Sequence, residues 1–123
     1  MHVIHAAINV SDLDATTEFY EGVLGLEHQW DFTLDGVINY YVGADEGAEI
    51  QFKYDPESDE PVEPAGIDHL ALSVEDVDAT FERVVTESNC SVVLEPTLIE
   101  PAGSRVAFVT DPDGYVVEFV QAG

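Results

Sequence analysis

His5-Ala6-Ala7-Ile8-Asn9-Val10-Ser11-Asp12-Leu13-Asp14-Ala15-Thr16 returns half a chain later as His69-Leu70-Ala71-Leu72-Ser73-Val74-Glu75-Asp76-Val77-Asp78-Ala79-Thr80. Repetition on this scale is the mark of one supersecondary unit used twice. Each copy opens as a short apolar run with period-two character and then meets an acidic cluster able to cap a helix, so the unit begins as strand then helix. In the first half, Ser11 with Asp14 three residues on resembles a capping box. Leu13, Phe19, Tyr20, Val23 and Leu24 supply the apolar stripe, and Gly25 ends the helix. The second helix is expected from Asp76 to Ser88, on Val77, Phe81, Val84 and Val85.

Three strand-like stretches follow each helix: 26–33, 36–43 and 48–54, then 91–99, 104–110 and 115–121. Each half therefore reads βαβββ, and the expected fold class is α+β, with paired βαβββ modules curling around a central cleft. The modules, 1–54 and 66–123, belong to a single domain, 1–123. The linker between them, 55–65, is acidic and carries Pro56, Pro61 and Pro64. Asp111-Pro112-Asp113-Gly114 is a turn signal before the last strand.

A chain of 123 residues with 46% hydrophobic content buries roughly two thirds of its unfolded surface as one domain, and halves of it would be too small to fold independently. Cys90 stands alone, which excludes a disulfide framework within the chain. No run of eighteen apolar residues occurs, and the N-terminal MHVIHAAINV has neither the basic flank nor the small-residue cleavage site of a signal peptide, so a cytoplasmic protein is expected. With 26 acidic residues against three basic ones, the formal charge is −23, and nucleic acid and anionic membranes are repelled. The acids are dispersed along the chain while hydrophobic periodicity persists, which fits a halophile surface better than disorder. At molar salt the Debye length is about 3 Å, so salt is expected to stabilise the fold.

Strand alternation puts Val3, His5, Ala7 and Asn9 on one face of the first strand, and Ile4, Ala6, Ile8 and Val10 on the other, toward the helix. The repeat does the same with His69, Ala71 and Ser73 against Leu70, Leu72 and Val74. The last strands of the halves also match, Glu49-Ile50-Gln51-Phe52 with Val116-Val117-Glu118-Phe119, which places Gln51 over Glu118. If the sheets curl toward one another, two imidazoles, an amide oxygen and a carboxylate meet. His5, Gln51, His69 and Glu118 are thus a ligand set for a divalent metal with open positions. Taken singly, a strand histidine is more often a hydrogen-bonded structural residue, and a lone glutamate is usually solvated. Their occurrence at equivalent points of a repeat favours the site. Glu49, about 6.5 Å from Gln51 along the strand, is a second candidate for the fourth ligand or a nearby acid/base, beside its reading as a solvated rim carboxylate. His2 and His28 have no counterpart and receive no role.

The chain resembles the glyoxalase/bleomycin-resistance/dioxygenase, or vicinal oxygen chelate, family over nearly its whole length. The resemblance rests on His5 through Asp14, Phe19-Tyr20-x-x-Val23-Leu24-Gly25-Leu26, Gly66 through Val74, and Asp111 through Phe119. It looks most like the short bacterial lactoylglutathione lyases, whose ligands are a histidine, a glutamate, a histidine and a glutamate. These fall on His5, Gln51, His69 and Glu118, so Gln51 is a departure. A glutamine at that position is also found in methylmalonyl-CoA epimerases, although the compact Asp-Pro-Asp-Gly turn is that of the lyases. Asn9 stands where the lyases carry a basic residue for glutathione. Lys53, on the same face as Gln51, Arg83 and Arg105 are the only cations for an anionic substrate, which points to a smaller thiol adduct or an α-hydroxy carbonyl. The resemblance implies a metal-dependent glyoxalase I-like lyase or isomerase acting on a thiol adduct of an α-oxoaldehyde. It further implies Glu118 as the base, one divalent ion (Ni, Co, Zn or Mn), a small-molecule substrate and a homodimer, with the cleft in one chain or shared by two. The alternatives it leaves are an epimerase and a non-catalytic drug-binding protein, the latter having no need of the four ligand positions.

Overall fold

In the computed structural model, which describes residues 1–122, the acidic clusters of the repeat do what their side chains dictate. Asp12 and Asp76 are extended N-cap residues whose Oδ1 atoms accept from the backbone N–H of Ala15 and Ala79 at 3.0 and 3.1 Å. The cap in the first half is thus Asp12 rather than Ser11, because Asp12 stands at the same point of the repeat as Asp76 and its carboxylate reaches the third N–H of the helix.

The chain divides into two units, Met1–Val62 and a second beginning at Glu63. The first holds β1 (His5–Asn9), α1 (Leu13–Thr17), β2 (Glu27–Leu34), β3 (Val37–Gly43) and β4 (Glu49–Tyr54). Its sheet order is β1-β4-β3-β2, with β1 parallel to β4 and the other pairs antiparallel. The second holds β5 (Leu70–Ser73), α2 (Val77–Glu87), β6 (Val92–Ile99), β7 (Ser104–Thr110) and β8 (Val116–Ala122). Its order is β5-β8-β7-β6, again with the first and last strands parallel. Two four-stranded mixed sheets, each with a helical segment after its first strand and the second with a further 3-10 turn at Glu100–Ala102, are the α+β, βαβββ arrangement read from the repeat.

The first helix departs from a plain α-helix. After Thr17 it widens into a π-helical turn, Glu18–Val23, with Leu24 N–H donating to the Phe19 carbonyl at 2.9 Å. The wider turn leaves Phe19, Tyr20 and Val23 all buried. The Tyr20 ring lies 5.0 Å from that of Phe52 on β4. Gly25, at φ 83°, closes the segment, with Gly25 N–H on the Glu21 carbonyl, the bond of an αL ending, and Leu26 N–H on that of Tyr20.

Sheet alternation then separates two faces in each unit. Ile8, Val10, Ile50 and Phe52 in the first, and Val109, Val117 and Phe119 in the second, are buried. In the second unit the helical side is tied down by Val77 N–H donating to Gln121 Oε1 at 2.8 Å. The opposite faces carry the residues of interest: His5, Asn39, Tyr41 and Gln51 in one unit, and Phe108 and Glu118 in the other. His69 lies one residue ahead of β5 rather than within it.

Candidate metal-binding residues

In the second unit, Ala71 is paired with Glu118, and Glu118 with Phe108 on its other side. His69 is two residues before Ala71, so its side chain leans over the same face. Its Nε2 stands 3.0 Å from Glu118 Oε1, and its Nδ1 lies 2.8 Å from Asp68 Oδ2. The imidazole also packs at 5.4 Å from the Phe108 ring. The Asp68 hydrogen bond, acting with the charges of Glu118 and Asp68, raises the His69 pKa above the ordinary histidine value, with burial opposing. Glu118 is 15% exposed and His69 33%, whereas Asp68 at 97% is at the surface. A carboxylate on Nδ1 fixes which nitrogen is turned inward, and the inward atom here is Nε2, the one beside Glu118.

The first unit shows the same pattern with one polar change. Tyr41 is paired with Gln51 as Phe108 is with Glu118, and the His5 ring meets Tyr41 edge-on at 5.4 Å and 81°. Gln51 is buried, and its Nε2 donates to Asn39 Oδ1 at 2.8 Å. Tyr41 is stacked at 4.3 Å on Trp30, and Trp30 on Phe32 at 5.2 Å, so a row of aromatic rings crosses this face. Glu49 is directly opposite His5 in register. It lines an open cavity of about 500 Å³ with His2, Gln29 and Asp45.

Of the sequence-derived set, His69 and Glu118 are in direct contact, while His5 and Gln51 share one face of the neighbouring strands β1 and β4. Among the described residues no group of three or more His, Cys, Asp or Glu side chains is placed to hold an ion. The sequence reading passed over Asp68, Asn39, Tyr41 and Phe108. The last two had a legible signal, since each is the middle-strand aromatic of its half. Of the cations, Arg105 forms a two-point pair with Asp78 at 2.6 and 2.8 Å, and Arg83 meets Glu87 at 3.2 Å. Lys53 is opposite Asn39, on the Gln51 face.

The family model described as Glyoxalase/Bleomycin resistance protein/Dioxygenase superfamily matches residues 2–119. A lactoylglutathione lyase of Haemophilus influenzae is 32% identical over 128 residues, covering 98% of this chain and 93% of that protein. A probable lactoylglutathione lyase of Synechocystis sp. is 32% identical over 126 residues, covering 98% and 95%. Glyoxalase I from Zea mays matches in structure with a TM-score of 0.87 at 24% identity, over 99% of this chain and 45% of the maize chain, so this chain spans a little under half of that one.

Proposed function

Because this chain belongs to the Glyoxalase/Bleomycin resistance protein/Dioxygenase superfamily, we propose that it is a metal-dependent glyoxalase I-like enzyme that isomerises a thiol adduct of an α-oxoaldehyde. The observation that carries the reading is the 3.0 Å contact between His69, at the head of the second repeat, and Glu118 on β8. The relatives named as lactoylglutathione lyases support the reaction class.

The donor set fits a first-row divalent ion. Two imidazoles, one amide oxygen and one carboxylate are the nitrogen and oxygen ligands that Ni, Co, Zn and Mn accept. His69 Nε2 and Glu118 Oε1, 3.0 Å apart, are a nitrogen and an oxygen donor that would both be available to such an ion. His5, Gln51, His69 and Glu118 are the proposed ligands. Gln51 is preferred to Glu49 because it is the register counterpart of Glu118, whereas Glu49 corresponds to Val116. When bound, the dication would supply Lewis acidity toward the substrate oxygens.

The residues of the chain do the rest. Glu118, only 15% exposed, takes the proton from the carbon bearing sulfur and hydroxyl, and returns it to the neighbouring carbon. The hemithioacetal thereby becomes the thioester of an α-hydroxy acid, with no net gain or loss of atoms. Asp68 orients His69, and the aromatic row of Trp30, Tyr41 and Phe32 offers an apolar wall beside Gln51. We place the protein in the cytoplasm as a single domain that forms a homodimer.

The test is metal content per chain after purification in molar KCl, followed by turnover of methylglyoxal adducts of small thiols. The parent is expected to carry close to one ion, His69→Ala to lose it, and Glu118→Gln to keep it while losing about a hundredfold or more in turnover. Full activity in Glu118→Gln removes that residue as the base. A parent that cannot be loaded with metal refutes the enzyme reading in favour of a small-molecule-binding protein.

A further inference from the structure

We infer that Asn39 is a positioning residue that presents the carbonyl oxygen of Gln51, and not its NH2 group, as a neutral metal donor. The inference rests on the proposed metal site. A glutamine side chain has two ends of nearly equal shape and opposite chemistry, and only the oxygen end ligates a cation. Something must therefore select the orientation.

The selection follows from a backbone carbonyl. The Val37 carbonyl can only accept, and Asn39 Nδ2 donates to it at 3.1 Å. That bond turns Asn39 Oδ1 the other way, where Gln51 Nε2 donates to it at 2.8 Å. Gln51 Oε1 is then the end that points away from Asn39. Asn39 is 3% exposed and Gln51 7%, so water is poorly placed to substitute for either partner. Turning the Gln51 amide over would set two acceptors face to face in a buried position, which is costly.

The other half of the molecule provides an internal comparison. Asn39 lies opposite Lys53, two residues from Gln51 on β4, and the equivalent place beside Glu118 is held by Val106, opposite Val120 on β8. A carboxylate has two like oxygens and needs no selection, and its neighbour is apolar. The polar partner occurs in the half whose proposed ligand has two unlike ends.

A metal-binding cycle separates positioning from a merely structural role. Ni2+ affinity is measured by isothermal titration calorimetry, and the ligand field by the visible spectrum of the Co2+ form, for the parent, Asn39→Val, Gln51→Glu and the double variant. Asn39→Leu, nearer in shape to asparagine, serves if the valine variant does not fold. Loss of Asn39 is expected to weaken Ni2+ binding about 10- to 100-fold when Gln51 is retained and to alter the Co2+ spectrum. In the Gln51→Glu background the same loss should change affinity by no more than about threefold, since a carboxylate has no wrong end. Equal losses in both backgrounds, or parental affinity in Asn39→Val, overturn the inference. If His69→Ala still abolishes binding in that case, the metal reading stands without it, whereas a parent that takes up neither ion overturns both.

Discussion

Lys53 is set apart from the other two cations by where its strand position puts it. Arg83 and Arg105 are held in ion pairs with Glu87 and Asp78 on α2, while Lys53 lies on the Gln51 face, opposite Asn39. An anionic thiol adduct entering beside Gln51 would meet this ammonium. Lys53→Met is expected to raise KM for a carboxylate-bearing adduct by about fivefold with kcat nearly unchanged, the scale of a partly exposed charge contact. An uncharged thiol adduct should show no such change, and steady-state kinetics on both substrates checks it. At this scale the sequence was readable where chemistry repeats: His5 with His69, Gln51 with Glu118. The Asn39–Gln51 contact was not readable, because it depends on a diagonal neighbour on another strand and on a carbonyl two residues back.

The elements show where local pattern and packing part company. The apolar stripe after Asp12 predicts a helix, and a helical segment forms, but its second part is π-helical, since adjacent Phe19 and Tyr20 are both buried. That turn is joined to β3 by the Tyr40 hydroxyl, which donates to Glu21 Oε2 at 2.6 Å. Burial, and then this hydrogen bond, push the Tyr40 pKa up to about 12. A raised phenol pKa means that the fold favours the neutral form. Its contribution is complete below the ordinary tyrosine value of about 10 and is lost as pH rises through 12. Tyr40→Phe is expected to cost about 1–2 kcal/mol at pH 7, with the difference from the parent shrinking above pH 10, as measured by urea unfolding. The strand expected at 91–99 likewise forms as β6, but its pairing with β7 slips between Leu94 and Thr97, around Pro96. Proline has no N–H for the ladder, and β6 is an edge strand that tolerates the bulge.

For the whole chain, charge is the dominant property. Of 26 acidic residues, Asp111 is the buried one among the described residues, and its carboxylate accepts from the N–H of Asp113 and Tyr115 within the turn before β8. The remaining carboxylates repel one another over a Debye length of about 10 Å at 0.1 M salt and about 3 Å at 1 M. Raising KCl from 0.1 to 2 M is therefore expected to raise Tm by on the order of 10 °C. A calorimetric scan showing no rise would remove the halophile reading. The exposed Trp30, Phe32 and Leu34 on β2 are apolar surface that fits the proposed homodimer. Sedimentation equilibrium in 2 M KCl should give twice the chain mass of 13.4 kDa, and Trp30→Glu should shift it toward one.

The sequence by itself determined the repeat, the α+β class, the strand alternation that puts both histidines on the side opposite the helices, and the surface charge. These are local or periodic properties, set by residue type and spacing along one strand or helix. Only the tertiary structure decided that the first helix widens into a π-turn. It also decided that Glu118 meets His69, and that Asn39 holds Gln51 by its nitrogen. Those outcomes depend on cross-strand register and on which polar group is left without water once its neighbours are packed. Both are consequences of residues far apart in the chain meeting in space, and a periodic pattern along the chain does not encode them.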